Sequence, residues 1–491
     1  MRDLLKEKVL SGLLWRGFER LGAQLAGFVV SIILARLLEP KDFGTITLIT
    51  VFIALASVFV SGGFNFALVQ RKEVTEEDYN SIFYLSLCVA TLFYVVLFVS
   101  APWIASFYNE PVLVRVLRIL SLTLILGALS SIQGAVLTRE MNFKLSFKVS
   151  MASALVSGVI GVGMAILGFG LWALVGSTLV AQVVSTAVLW KIVAWRPQLQ
   201  FSFRAVRNLF GFGSKMLLSG LLDTFFNNLY NVIIGKLFNP IILGHYSRGQ
   251  SIPNLVMSSV QGTISGVIFP ALSTCQHDRV RVKEIMRRMI KSTCFLVFPM
   301  MFGLAAVAKP LVLLLLTEKW LPCVPYLRLS CITFAFWPLH VANLQAIMAL
   351  GRSDIFLKLE ILKKALTVVM ILCTFKFGVM AMVVGQVSAS LLSVVINAWP
   401  NRRLLNYSAV EQFHDVMPSL LLSSVMAAFV WAPVYFISNG YICLAVQLVA
   451  GMCLYLGGAL LLKMESAEYI WRTGFQVGFL ALGGFSAKAS P

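Results

Sequence analysis

Stretches of about 20 apolar residues, enough to cross a bilayer core as a helix, recur about fourteen times along this 491-residue chain. They run roughly 17–38, 43–69, 81–101, 116–138, 147–167, 171–194, 214–236, 248–274, 292–316, 323–350, 361–377, 379–399, 417–437 and 441–463. Hydrocarbon offers the backbone no hydrogen-bond partner, so segments of this kind must bond internally, as helices. Composition supports the same reading: 59% of residues are hydrophobic and 12% charged, where a soluble chain carries about a quarter charged residues. The expected class is an all-α polytopic membrane protein.

A formal charge of +19 would suggest a nucleic-acid partner in a soluble protein. Here it has another account. With the N-terminus in the cytoplasm, about 29 Lys and Arg fall in inside loops and tails and about 10 outside, the asymmetry that orients membrane proteins. Six of the basic residues lie between Arg279 and Lys291. The topology therefore expects both termini in the cytoplasm and no nucleic-acid partner. The basic residues before the first apolar stretch resemble a signal peptide, but no small-residue cleavage site follows, so that helix is expected to be retained.

Several chemistries are excluded by what the chain lacks. Its eight cysteines form no CxxC pair and read as small buried hydrophobes, and four histidines leave little scope for a metal site. There is no GxxxxGK[ST] phosphate loop and no HExxH helix, so neither an ATPase nor a zinc protease is expected. No metal, cofactor or catalytic residue is assigned.

The strongest internal signal is a repeat. Ala35-Arg36-Leu37-Leu38-Glu39-Pro40-x-x-x-Gly44 recurs as Gly235-Lys236-Leu237-Phe238-Asn239-Pro240-x-x-x-Gly244. Phe169-Gly170-Leu171-Trp172-Ala173 is echoed by Phe377-Gly378-Val379-Met380-Ala381, and Gln133 and Arg139 match Gln345 and Arg352. Offsets of about 200 to 213 residues, in one order, point to duplication of a six-helix unit. An even helix number makes the copies parallel, which expects a pseudo-two-fold axis along the membrane normal with substrate handled between the halves. The organisation expected is 1–210 and 211–405 as two six-helix bundles, then 406–491 as two added helices and a tail.

Leu34-Ala35-Arg36-Leu37-Leu38-Glu39-Pro40-Lys41-Asp42-Phe43-Gly44, followed by Ala67-Leu68-Val69-Gln70-Arg71-Lys72-Glu73-Val74-Thr75-Glu76-Glu77-Asp78, resembles the start of Wzx-type polysaccharide flippases. The similarity is to the colanic-acid or teichuronic-acid exporter branch of the MOP superfamily. It implies twelve core helices in two bundles, commonly two more, and a cavity opening alternately to either side. It also implies an undecaprenyl-pyrophosphate-linked oligosaccharide as cargo, with polysaccharide polymerase and export machinery as partners.

Such cargo cannot enter hydrocarbon unaided, so a carrier must supply polar and cationic groups inside its spans, where ionisable residues are costly and functional by default. The first span carries Arg16, Glu19, Arg20 and Gln24. Arg16, Arg20 and Gln24 share a face, and guanidinium forks suit a diphosphate. The alternative has Arg16 snorkelling to headgroups and Arg20 pairing with Glu19. The seventh carries Lys215, Ser219, Asp223, Asn227 and Asn231 at four-residue steps, a stripe that lipid would not tolerate. Asp223, with Glu19, is the candidate coupling site for H⁺ or Na⁺; an ion pair of Asp223 with Lys215 or Lys236 is the structural alternative. Lys236, Arg248 and Gln250 flank the next connection, as cargo contacts or ordinary headgroup contacts. His340, with Asn343 and Gln345, is either a cavity group or a satisfied structural histidine.

Three rivals stand beside the flippase reading. A lipid II flippase or a drug/cation antiporter belongs to the same superfamily, and the basic first span argues against the antiporter. A membrane glycan polymerase or ligase would need an outer domain holding its catalytic groups, and none is visible. A non-catalytic assembly subunit has no use for an acid and a ladder of amides in mid-span.

Overall fold

The computed structural model describes residues 22, 24–61, 63, 68, 71, 74–275, 277–435, 437 and 439–468. The described residues form helices and short 3₁₀ turns, with no strand among them. They divide into two compact units. The first, Met1–Ser247, contains α1 (Gln24–Leu37), α2 (Pro40–Ser61), α3 (Glu76–Tyr108), α4 (Val112–Leu120), α5 (Leu122–Arg139), α6 (Phe143–Ile166), α7 (Leu171–Ile192), α8 (Phe203–Leu237) and the opening turns of α9 (Pro240–Thr274). The second, Arg248–Pro491, contains the remainder of α9 and then α10 (Arg279–Ala306), α11 (Ala308–Leu315), α12 (Val324–Ala335), α13 (Trp337–Ala349), α14 (Ser353–Thr374), α15 (Val379–Leu405), α16 (Ala409–Trp431) and α17 (Gly440–Leu461).

The protein is an all-α membrane protein, and ten of its helical stretches are long and apolar enough to cross a bilayer. Each of the fourteen expected segments falls on a helix, but α1, α8, α9 and α14 are not among the ten. The described part of α1 is short. In α14 the charges Asp354, Lys358, Glu360, Lys363 and Lys364 lower the hydropathy, and α8 and α9 are diluted by serines, amides and scattered charges.

Three expected spans are broken, the ninth where α10 gives way to α11 at Val307. The fourth consists of α4 and α5 meeting at the fully buried Ser121, and the tenth of α12 and α13 meeting at Phe336. Pro338 lies in the first turn of α13, where its missing N–H leaves no helical bond unmade. Pro299, by contrast, lies inside the continuous α10.

Helix starts follow their polar residues. Thr75 and Asp78 form a reciprocal capping box at α3, and Ser408 accepts from the Glu411 N–H at α16. Asn239 accepts from the Ile242 N–H at the start of α9 (2.8 Å).

Small residues let the helices approach. Ala90 of α3 and Ala128 of α5 are fully buried beside Ala56 and Val60 of α2. A Cβ on Gly158 would lie 2.4 Å from Val30, and one on Gly161 2.8 Å from Ser177, so both glycines serve close packing. Gly163 does not, because nothing lies within 4 Å of its Cβ position. In the second unit α10 packs along α16 and α12, and Phe295, Met426, Val430 and Tyr455 join α10, α16 and α17 in one apolar cluster.

Candidate functional site

Helix α8 packs on α2 and α3 through one side and leaves another uncovered by protein. On the uncovered part stand Lys215, Ser219, Asp223 and Asn227, each exposed. Further along, the helix is enclosed: Asn231 is half-buried, Tyr230 is 5% exposed and Ile234 fully buried. Leu218, Leu222 and Phe225, also uncovered, centre roughly 110° around the helix from the centre of the polar stripe. One helix thus presents a polar and an apolar uncovered face. Asn231 donates to Asn228 (3.3 Å), which donates to the Thr224 carbonyl (2.9 Å).

Lys236, at the C-terminal end of α8, turns to α3: it donates to the Phe107 carbonyl and lies 4.3 Å from the centre of the Phe107 ring. Gln24 is half-buried on α1. Arg16, Glu19 and Arg20 lie outside the described residues, as do Trp471, Phe475 and Phe479 of the tail.

In the second unit Arg248 is 7% exposed, with its guanidinium 5.7 Å from the Trp320 ring centre. Gln250 reaches Gln386 at 3.5 Å. His340 has both ring nitrogens engaged, Nδ1 with Asn397 (3.1 Å) and Nε2 with Ser390 (3.4 Å), which ties α13 to α15. These three side chains all meet protein partners.

Three polar groupings escaped sequence reasoning. Asn343, Asn401 and Gln412 form a buried amide cluster across α13, α15 and α16. Asn401 and Gln412 donate to Asn343 Oδ1 at 2.7 and 3.0 Å, and Asn343 donates to Gln412 at 2.8 Å. Glu360 and Lys363 pair at 2.5 Å on α14; their i,i+3 spacing was the available signal. The basic run of α10 is also more than an orientation signal, since Arg287 pairs with Asp415 (2.6 Å), Lys283 with Glu411 (3.3 Å) and Lys291 with Glu465 (2.9 Å). Tyr407 donates to Asp415 as well (2.8 Å). The Lys291 ammonium holds the Glu465 carboxyl below the usual glutamate range. The α10 partners lie 128 to 174 positions away in the chain, which no local pattern reveals.

The second unit also contains an apolar cavity of about 490 Å³. Phe295, Pro299, Met426, Leu448, Met452 and Tyr455 are among its lining residues. Among the described residues no three His, Cys, Asp or Glu gather as a metal site would require.

The family described as "Polysaccharide biosynthesis protein" matches residues 33–325, more than half the chain. The chain belongs to this family, the Wzx-like group of the MOP superfamily. Among its relatives is the succinoglycan biosynthesis transport protein ExoT of Rhizobium meliloti (strain 1021), 31% identical over 322 residues, a match spanning 65% of either chain. The teichuronic acid biosynthesis protein TuaB of Bacillus subtilis (strain 168) is 23% identical over 92% of this chain and 95% of its own. The lipopolysaccharide biosynthesis protein WzxC of Escherichia coli (strain K12) is 24% identical over 80% of each. Among solved structures, the lipid II flippase MurJ in an inward closed conformation superposes with a TM-score of 0.73 at 13% identity, covering 92% of this chain and 98% of that one. A multidrug resistance MATE family transporter, inward-facing, gives 0.62 at 15% identity over 80% of this chain. At those identities the likeness concerns the fold, which is MurJ/MATE-like.

Proposed function

We propose that this member of the family is a flippase, not an enzyme, which carries an undecaprenyl-pyrophosphate-linked oligosaccharide from the cytoplasmic to the outer leaflet for polysaccharide export. The observation that carries the proposal is the uncovered polar face of α8 from Lys215 to Asn227. Exposed to hydrocarbon, an Asp, a Lys and an Asn would each cost several kcal/mol, about 2.5–3.5 for the charges. In a chain this apolar they are tolerable only against water, so the stripe lines an aqueous path. Such a path is what a charged, hydroxyl-rich headgroup needs.

The reading takes fourteen spans, two parallel six-helix repeats at 1–210 and 211–405, an added pair of helices after 406, and cytoplasmic termini. Arg16, Arg20 and Gln24 meet the diphosphate at the cytoplasmic entrance, and Lys215, Asn227 and Asn231 line its way. Lys236, Arg248 and His340 are secondary cargo candidates. Asp223 is the coupling acid for H⁺ or Na⁺, with Glu19 of the first span as the second candidate, and the repeats expose the path to each side in turn. The polyprenyl tail stays in apolar surroundings, for which the cavity beside Phe295 and Tyr455 is chemically suited.

The test is flipping of a fluorescent undecaprenyl-pyrophosphate oligosaccharide in proteoliposomes, comparing native protein with Arg20→Ala and Asp223→Asn. Native transport that falls at least about tenfold in both variants, roughly 1.4 kcal/mol in the rate-limiting step, is the expected result. Folded native protein that moves no glycan under any ion gradient would overturn the proposal.

A further inference from the structure

The two copies of the Pro-x-x-x-Gly element meet. Both lie within residues 1–247. Pro40 and Pro240 open α2 and α9, and Gly44 and Gly244 follow one turn later. A Cβ built on Gly44 would stand 1.7 Å from the Pro240 carbonyl oxygen, and one on Gly244 2.0 Å from the Pro40 carbonyl oxygen. The contact is reciprocal, each glycine fitting the carbonyl of the other copy's proline. No side chain fits, and Cα–H to carbonyl contacts take its place. This explains the repeat's spacing: a glycine must fall one turn after the proline in each copy because each is the other's socket.

The surroundings tighten the crossing. Leu48 and Ile49 of α2, Ile234 of α8, and Leu243 and Tyr246 of α9 are all 1% exposed or less. A Cβ on Gly235 would come within 2.1 Å of Leu48, so α8 is drawn into the same knot. The corner after α3 holds both copies at once: Glu110 pairs with Lys41 of the first (3.3 Å), and Phe107 takes Lys236 of the second. The α8 stripe, open from Lys215 to Asn227, is enclosed as it nears this knot.

We propose that the twin Pro-x-x-x-Gly crossing is the outer seal of the transport path, shut by the contact between its two copies and parting when cargo is released. The assignment of the outer side rests on the flippase reading and its topology. The duplicated motif is then a joint between copies, not a binding sequence. Lys236 acts in the strap that steadies the joint.

Two measurements test this in a background with the native cysteines replaced by serine. In the first, Asn227→Cys reports access from outside to a membrane-impermeant maleimide in intact cells. Gly44→Val, which overpacks the crossing, is expected to raise outer labelling about tenfold, and Gly44→Ala to raise it less; Gly134→Ala, in open space, should leave it unchanged. In the second, Phe107→Cys with Lys236→Cys is joined by a reducible bis-thiosulfonate linker. The linked protein should lose glycan flipping and regain it on reduction. Unchanged outer labelling in both Gly44 variants, or flipping that persists across the link, would overturn the seal. The labelling needs no cargo, so it decides the seal even where native protein moves no glycan; that result counts against the flippase reading alone.

Discussion

Two sets of polar side chains inside this membrane protein contrast sharply. Asn343, Asn401 and Gln412 are 0–1% exposed and hydrogen-bond one another across three helices. Asn227, Asp223 and Lys215 stand on one helix and face away from the protein. The residue types overlap, so amide content alone does not separate structure from function. The difference is enclosure: the amide cluster is buried between three helices, whereas the α8 stripe is exposed. Buried amides that find each other fasten helices; a polar face left open in an apolar chain implies water or a ligand.

The largest expected effect that would break this contrast is on stability. Asn343→Leu removes the acceptor that Asn401 and Gln412 share and leaves them only longer bonds to the Asn343 and Tyr407 backbone carbonyls (3.3 and 3.4 Å), at a total of about 1–3 kcal/mol. Thermal unfolding in detergent should show it, with Asn227→Leu changing stability by no more than about 0.5 kcal/mol. On flipping the order reverses: Asn227→Leu and Lys215→Ala should each lower the rate severalfold without a matching loss of stability. A stability loss in Asn227→Leu equal to that of Asn343→Leu would erase the contrast.

Arg287→Ala is expected to be intermediate. Asp415 keeps Tyr407 and Lys291 (3.6 Å) but loses its strongest partner, so a loss of about 1 kcal/mol should separate α16 from α10 more readily on heating. The smallest effect is on pH dependence. Glu465 has its folded pKa depressed by Lys291, so its stabilisation is present above the unfolded pKa of about 4.3 and is lost as pH falls through the folded value. The pair is largely solvated, which limits the loss to about 0.2–1 kcal/mol. Lys291→Ala should remove the acid-side difference in melting temperature.

Much of the fold was legible because apolar length is a local property: each expected segment lies on a helix. The α8 stripe was legible for the same reason, through its four-residue step. What stayed hidden was either a break or a distant pairing. The interruptions at Ser121 and Phe336 sit in unbroken apolar runs, where hydropathy does not register a changed helix direction. Gln412 meets Asn343 across 69 positions, and Lys291 meets Glu465 across 174. Arg248 and Gln250 were read beside a membrane surface, yet Arg248 is buried under Trp320, because packing with the 3₁₀ turn at Glu318–Cys323 depends on tertiary structure alone. The twin Pro-x-x-x-Gly element was visible as a repeat, while its purpose needed the crossing.

The most direct test of the α8 claim is water access along the helix. Single cysteines at Ser219 and Asn227, and at Leu218 and Leu222, would be labelled with a water-soluble maleimide in proteoliposomes with and without the lipid-linked glycan. Rapid labelling at the first two, slowed by the glycan, with little at Leu218 and Leu222, is the predicted result. Equal labelling on both faces, or faster labelling at the leucine positions, would contradict it.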